Sequence, residues 1–315
     1  MTSPYCTLFC DKTTTGVQDM SIDDFIITTF CLIDDEMKKV LADEKFRQRG
    51  PSPRLKDSEV ITMEVVGEFF GMDRDKTIWE YFKRHWLHFF PNIPARSNFV
   101  RQAANLHVVK RLLQESLATD LHALSDSLHI IDGLPIPVCK FARAHFSKNF
   151  KGDAAYGYCA TKKEHFYGFR GHVVISSIGV VTAATFAKAN IDERDVCPEI
   201  VEKIGGLLLG DKGFIRPGLK ELLKKQGLYL QTSLRENMKD ERPKKFLKWL
   251  VGTRRLVETV IGQLNDRFRI EKVWARDLWH QFSRFWRKLL AHTVGIKLNV
   301  NAGNEPLQFD QLLCS

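Results

Sequence analysis

The sequence predicts an α/β fold: a mixed five-stranded sheet flanked by helices, preceded by an all-α N-terminal domain. Apolar residues recur at helical spacing from Ser21 to about residue 120. Near residue 127 the pattern changes to short apolar runs bounded by glycine. From there the order reads β-β-β-α-β-α-β followed by helices alone, which places helices on the faces of a sheet. With 315 residues, 44% of them hydrophobic, the chain can build a sizeable core.

Residues 1–20 show no periodicity and read as a flexible arm. A helix is expected over 21–48, capped by Ser21, with Asp23 and Asp24 in its first turn and Phe25, Ile26, Phe30 and Ile33 on its apolar face. Gly50-Pro51-Ser52-Pro53 breaks the chain. A second helix runs from about Asp57 to Gly71, a third over about 77–90 with Tyr81, Phe82 and Trp86 packing it, and a fourth starts at a Ser97 cap. These helices fit a helix-turn-helix DNA reader and fit a plain bundle equally well. Strands follow at Leu128–Cys139, Phe169–Ser176 and Val180–Ala187, with Gly179 marking a hairpin turn. A helix from Asp192 ends at Gly205-Gly206, Leu207–Gly210 is a fully apolar strand, Pro217 opens a helix to Gln226, and Leu228–Gln231 is the fifth strand. Helices close the chain at about 244–251, 254–268 and 277–298.

The charge is unevenly distributed. Residues 131–315 carry 31 Lys and Arg against 19 Asp and Glu, whereas residues 1–50 carry 6 against 9. A sequence pI near 9.1 points to a polyanionic partner such as nucleic acid. No apolar run approaches the roughly 20 residues of a membrane span, and no signal-peptide pattern opens the sequence, so a soluble intracellular protein is expected. Seven scattered cysteines match no zinc pattern and read as reduced, mostly structural thiols.

Three acids stand out. Asp132 ends the run Leu128–Ile131, Asp211 ends Leu207–Gly210, and Glu258 lies in the first turns of a basic amphipathic helix at Arg254–Lys272. Each has an ordinary explanation: a strand-ending turn for the aspartates, an ion pair with Arg254 for the glutamate. Together, carboxylates on such elements can hold hard divalent cations, which offset phosphate charge and activate an attacking oxygen. Asp192, Glu193 and Asp195 read as acids offsetting a helix N-terminus. His172 reads as a hydrogen-bonded core histidine. Lys212, Arg216, Arg254, Arg255, Arg267 and Arg269 are the candidate phosphate contacts. Over 273–297, aromatic residues interleaved with Arg276, Arg284, Arg287 and Lys288 read mainly as core, with the arginines facing DNA phosphate.

Ile130-Ile131-Asp132-Gly133, Gly168-Phe169-Arg170-Gly171-His172, Leu209-Gly210-Asp211-Lys212-Gly213-Phe214 and Arg254-Arg255-Leu256-Val257-Glu258 resemble the RNase H-like core of DDE transposases of bacterial insertion sequences, over about 127–298. Some relatives carry Tyr seven residues before the helix Glu and Lys seven after it; here those positions hold Val251 and Asn265, while Arg254 keeps the Arg four before. The resemblance implies a catalytic and metal-binding trio of Asp132, Asp211 and Glu258, holding two Mg2+ ions with Mn2+ able to substitute. It implies cleavage at element ends and transfer of the 3′ hydroxyls to target DNA. The partners implied are double-stranded DNA, as terminal inverted repeats and target, and a homodimer or larger assembly in the bacterial cytoplasm, associated with the nucleoid. On this reading residues 21–126 bind DNA ends, 127–298 catalyse, and 299–315 form a tail. Two rivals are a metal-dependent nuclease without strand transfer and a non-catalytic DNA-binding descendant.

Overall fold

The computed structural model describes residues 20–42 and 51–312, so most of the expected arm, the end of the first helix, and Cys6, Cys10 and Cys314 lie outside the described residues. Five helices come first: α1 (Ile22–Leu41), α2 (Asp57–Phe69), α3 (Asp75–His85), α4 (Arg96–Asn105) and α5 (His107–Asp120). Ser21 caps α1 as expected, its hydroxyl accepting from the Asp24 N–H. The helix predicted to start at Ser97 starts instead after Ala95 and is two helices, which are separated by Leu106.

The sheet has six strands: β1 (Leu128–Pro137), β2 (Ala155–Cys159), β3 (Glu164–Ser176), β4 (Val181–Lys188), β5 (Gly206–Gly210) and β6 (Leu228–Thr232). The order β4-β3-β1-β5-β6, with β3 alone running against the other four, is the RNase H-like arrangement. β2 is the strand the sequence pattern missed. Ala-Tyr-Gly-Tyr-Cys is short and half-exposed, and it pairs with the first residues of β3 beside β4, so it carries no apolar run. Its pairing also lengthens β3, which starts at Glu164 rather than Phe169.

Between the later strands lie α6 (Glu193–Ile200) and α7 (Pro217–Lys225); α8 (Lys244–Asp266) and α9 (Leu278–Ala302) follow. The two helices expected over 244–268 are one. Gly252 alone does not break α8, because Leu250, Val257, Val260 and Leu264 keep a continuous buried stripe across it. Glu258 therefore lies in the middle of a helix rather than in its first turns.

Alternation along the strands sorts side chains to two faces. Ile131, Val174 and Leu208 pack with Cys197, Ile200, Leu219 and Leu223 of α6 and α7. Ile130, Leu134, Val173 and Leu209 join α8, α9 and the N-terminal helices in one continuous apolar cluster. Phe69 of α2 meets Phe268 and Phe309 edge-on at 5.4 and 6.0 Å. Phe82 and Trp86 are buried as expected, and so are Phe285 and Trp286 of α9. Trp274, Trp279 and Phe282 are exposed.

The β1–β3 pairing that holds the first aspartate depends on Gly168. A Cβ there would lie 2.2 Å from the Ile136 carbonyl oxygen, a backbone atom that cannot turn away. Gly168→Ala is expected to destabilise the protein by about 1–3 kcal/mol, read as a lower urea midpoint. An unchanged midpoint would show that the two strands can part here.

Candidate active site

Register brings the two aspartates side by side. Ile130 of β1 is paired with Leu209 of parallel β5, and Asp132 and Asp211 each lie two residues further on, so both project from the face that carries Ile130 and Leu209. That face is covered by α8, whose buried Val257 and Val260 pack into the same cluster. Arg254, one turn before Val257, is delivered between the acids: its terminal nitrogens lie 3.7 Å from Asp132 Oδ2 and 3.7 Å from Asp211 Oδ1. The guanidinium is mostly buried, and its Nε has no hydrogen-bond partner.

Burial pushes the Asp132 carboxyl up to about 6; the Gly133 N–H and Arg254 oppose the rise, while Asp211 and Glu193 add to it. The Gly133 N–H donates to Asp132 Oδ1 at 2.8 Å, and the Lys212 N–H donates to Asp211 Oδ1 at 2.5 Å.

Glu193 lies in the first turn of α6, as the sequence reading placed it, but its side chain does more than offset a helix N-terminus. Asp192 does cap α6, its side chain accepting from the Arg194 N–H. Glu193, next to it, turns inward instead. A Cβ on Gly133 would lie 3.5 Å from Glu193 Oε1, and one on Gly213 would lie 4.0 Å from oxygens of both Glu193 and Asp211. The carboxylate thus occupies space left by the two glycines that follow the aspartates. Those glycines were the available signal, and the turn reading absorbed them. Arg170 of β3 anchors Glu193, Nη1 to Oε1 at 2.5 Å, and donates through Nη2 to the Tyr158 carbonyl at 3.0 Å. Burial raises the Glu193 carboxyl above its ordinary value against the pull of Arg170.

The remaining expected residues are distributed as follows. Glu258 is exposed, one turn beyond Arg254 on α8. Lys212 and Arg255 are exposed and make no ion pair among the described residues. Arg216 is engaged by Asp195 at 2.6 Å and Asp192 at 3.3 Å. Arg267, just past α8, pairs with Asp310, and Arg269 stands 3.6 Å from Asp73. His172 is buried on the opposite sheet face with neither ring nitrogen hydrogen-bonded, which corrects the expected hydrogen-bonded histidine; burial takes it down to about 4. Arg284 and Arg287, expected to face DNA, turn inward, as does Lys288, into ion pairs with Glu68 and Asp75. Among the described residues no group of three His, Cys, Asp or Glu side chains is close enough to hold a metal ion. Nor, among them, is any helix long and apolar enough to cross a membrane.

An RNase H-like sheet in which an aspartate within one strand and an aspartate just past the end of its parallel neighbour share the face covered by a helix defines a class of domain. Residues 122–278 match the family described as "Transposase DDE domain", and over those residues the chain is a DDE-type transposase domain. No curated protein matches the chain. Among solved structures it is similar to the "piggyBac transposase synaptic complex with hairpin DNA", at TM-score 0.49 and 10% identity, over 90% of this chain and 76% of that one.

Proposed function

We propose that the chain is a DNA transposase that cleaves the ends of its own insertion sequence and joins the resulting 3′ hydroxyls to target DNA, with Asp132, Asp211 and Glu258 as its catalytic acids. The observation that carries this reading is the convergence of Asp132 and Asp211 on one point, now held by the Arg254 guanidinium. The donor set suits a hard divalent cation: two carboxylates meet there, and the more buried one is pushed up to about 6, chiefly by burial. Mg2+, with Mn2+ able to substitute, would be held by Asp132 and Asp211. When bound it supplies Lewis-acid stabilisation of charge on a phosphodiester.

The chain's own residues do the rest. Asp132 and Asp211, held by adjacent strands and by backbone N–H groups, keep their oxygens in place. Arg254 keeps the pair close in the absence of other cations and has Nη groups to turn toward a phosphate oxygen. Glu258, on the same helix one turn on, would be the third carboxylate to hold the cation. Lys212 and Arg255 offer unpaired charge to the DNA backbone, and Arg216, Arg267 and Arg269 do so after exchanging their present partners. Residues 21–126 supply the helical surface for the DNA ends, with two or more copies of the chain holding the two ends of one element.

Mg2+-dependent cleavage and joining on DNA carrying the element's ends tests this, comparing wild type with Glu258→Gln. Both reactions in the wild type and neither in the variant are expected. Cleavage without joining would mark a nuclease, and binding without cleavage a DNA-binding descendant; either outcome refutes the proposal.

A further inference from the structure

The segment between β1 and β3 leaves four aromatic residues about half exposed or more. Phe141 is 50% exposed, Phe146 76%, Tyr156 51% and Tyr158 45%. Phe141 and Phe146 are the two ends of a single 3-10 helix, and strand alternation puts Tyr156 and Tyr158 on the open side of β2. Three of the rings are neighbours through His165: Phe141 lies 6.0 Å from Tyr156 and 6.1 Å from His165, which lies 4.9 Å from Tyr158, while Phe146, at the far end of the 3-10 helix, lies 3.7 Å from the His145 ring. Exposed apolar surface gathered in this way marks an interaction site.

Its electrostatics say with what. Residues 138–166 hold six Lys and Arg against two acids, Asp153 and Glu164. Of the six, Lys162 pairs with Glu271. Lys140, Arg143, Lys148, Lys151 and Lys163 are exposed and make no ion pair among the described residues. A second copy of the chain meeting this face with its own would bring like charge against like charge. A duplex would satisfy the lysines but offer the rings little, because its base faces are stacked on one another. Unpaired nucleotides offer both phosphate and open π-faces. The patch is also joined to the aspartate pair, since the Tyr158 carbonyl accepts from Arg170, whose guanidinium holds Glu193 against Gly133.

We propose that Phe141, Phe146, Tyr156 and Tyr158, with the lysines around them, form a stacking platform for unpaired nucleotides of a DNA strand beside the aspartate pair. The source of that strand rests on the transposase reading; the binding chemistry does not. The test is Mg2+-free fluorescence anisotropy of the full chain with a fluorescein-labelled oligothymidylate and with a blunt duplex. The variants are Phe146→Ala with Tyr158→Ala, and the ring-keeping pair Phe146→Trp with Tyr158→Phe. The alanine pair should weaken single-strand binding at least about tenfold while changing duplex binding less than about twofold, and the ring-keeping pair should bind as wild type does. Lys148→Gln with Lys151→Gln should flatten the salt slope for the oligothymidylate by about 1.4.

Absent single-strand binding by the wild type, an unchanged alanine pair, an equal loss on duplex, or an unmoved salt slope would each overturn the proposal. So would an alanine pair that turns a dimer into a monomer with DNA binding intact, which would make the patch a protein interface. Because Mg2+ is omitted, a chain that never cleaves DNA yet loses single-strand binding with the rings refutes the transposase reading and keeps the platform; the reverse pattern refutes the platform alone.

Discussion

Asp132→Asn is expected to lower Mg2+-dependent DNA cleavage by about two to three orders of magnitude and, in the same protein without metal, to raise the melting temperature at pH 7.5. The amide keeps the size of the side chain and an oxygen for the Gly133 N–H, so the change removes charge and little else. The folded-state value of this carboxyl is raised from 3.8 to about 6, chiefly by burial. Below about pH 4 it is protonated in both folded and unfolded chains and costs nothing. Between about pH 4 and 6 the unfolded chain gives up the proton first, so the contribution to stability falls as pH rises, and above about 6 the full cost is present. The gain from Asp132→Asn should therefore vanish at pH 4. Thermal melts at the two pH values and a cleavage assay check both halves. A variant that melts lower at pH 7.5 refutes the burial account, and one that still cleaves refutes the assignment of Asp132.

Arg287→Met is expected to be among the most destabilising substitutions, at about 3–5 kcal/mol. Arg287 is fully buried and donates to Glu68 at 2.5 Å and Asp75 at 2.6 Å, with Glu64 at 3.4 Å. Lys288 takes the other oxygen of Glu68 at 2.8 Å, Lys110 meets Glu64 at 2.5 Å, and Arg284 meets Asp75 at 2.6 Å. The network ties α2, α3 and α5 to α9. Burial lowers the lysines and raises Glu64, while Asp75, which burial alone would raise, is held well below its ordinary range by Arg287 and Arg284. Methionine fills the space of the stem but leaves three buried carboxylates short of positive charge. Urea unfolding of Arg287→Met, and of Arg287→Met combined with Glu68→Gln, measures the effect. The double variant should recover part of the loss, because the amide no longer carries an uncompensated charge; a single variant within 1 kcal/mol of wild type, the size of an ordinary surface change, would refute the account.

The two aspartates were legible because each ends an apolar run, and strand alternation fixed which face they share with Ile130 and Leu209. Arg254 was legible as a cation on the helix, but its partner was not. The local expectation was Glu258, four residues on, whereas the folded chain turns it to acids that lie 122 and 43 residues away in sequence. Glu193 was placed correctly at a helix N-terminus, but its partner was hidden for the same reason. A helix N-terminus explains an acid locally, and only packing revealed that the space over Gly133 and Gly213 receives it.

The cations of α9 show the limit most plainly. Their spacing with tryptophan and phenylalanine fits a DNA-facing surface and a buried ion network alike, since periodicity records which residues share a face and not what that face meets. By itself, then, the sequence determined the order of most elements, the switch from helices to a mixed sheet, and the two aspartates that close apolar runs, all of which depend on local pattern. The tertiary structure alone decided the sixth strand, the continuity of α8, the Arg254 bridge, the inward turn of Glu193, and the partners of Arg284, Arg287 and Lys288. Each of these depends on which distant side chain completes a buried charge or covers an edge.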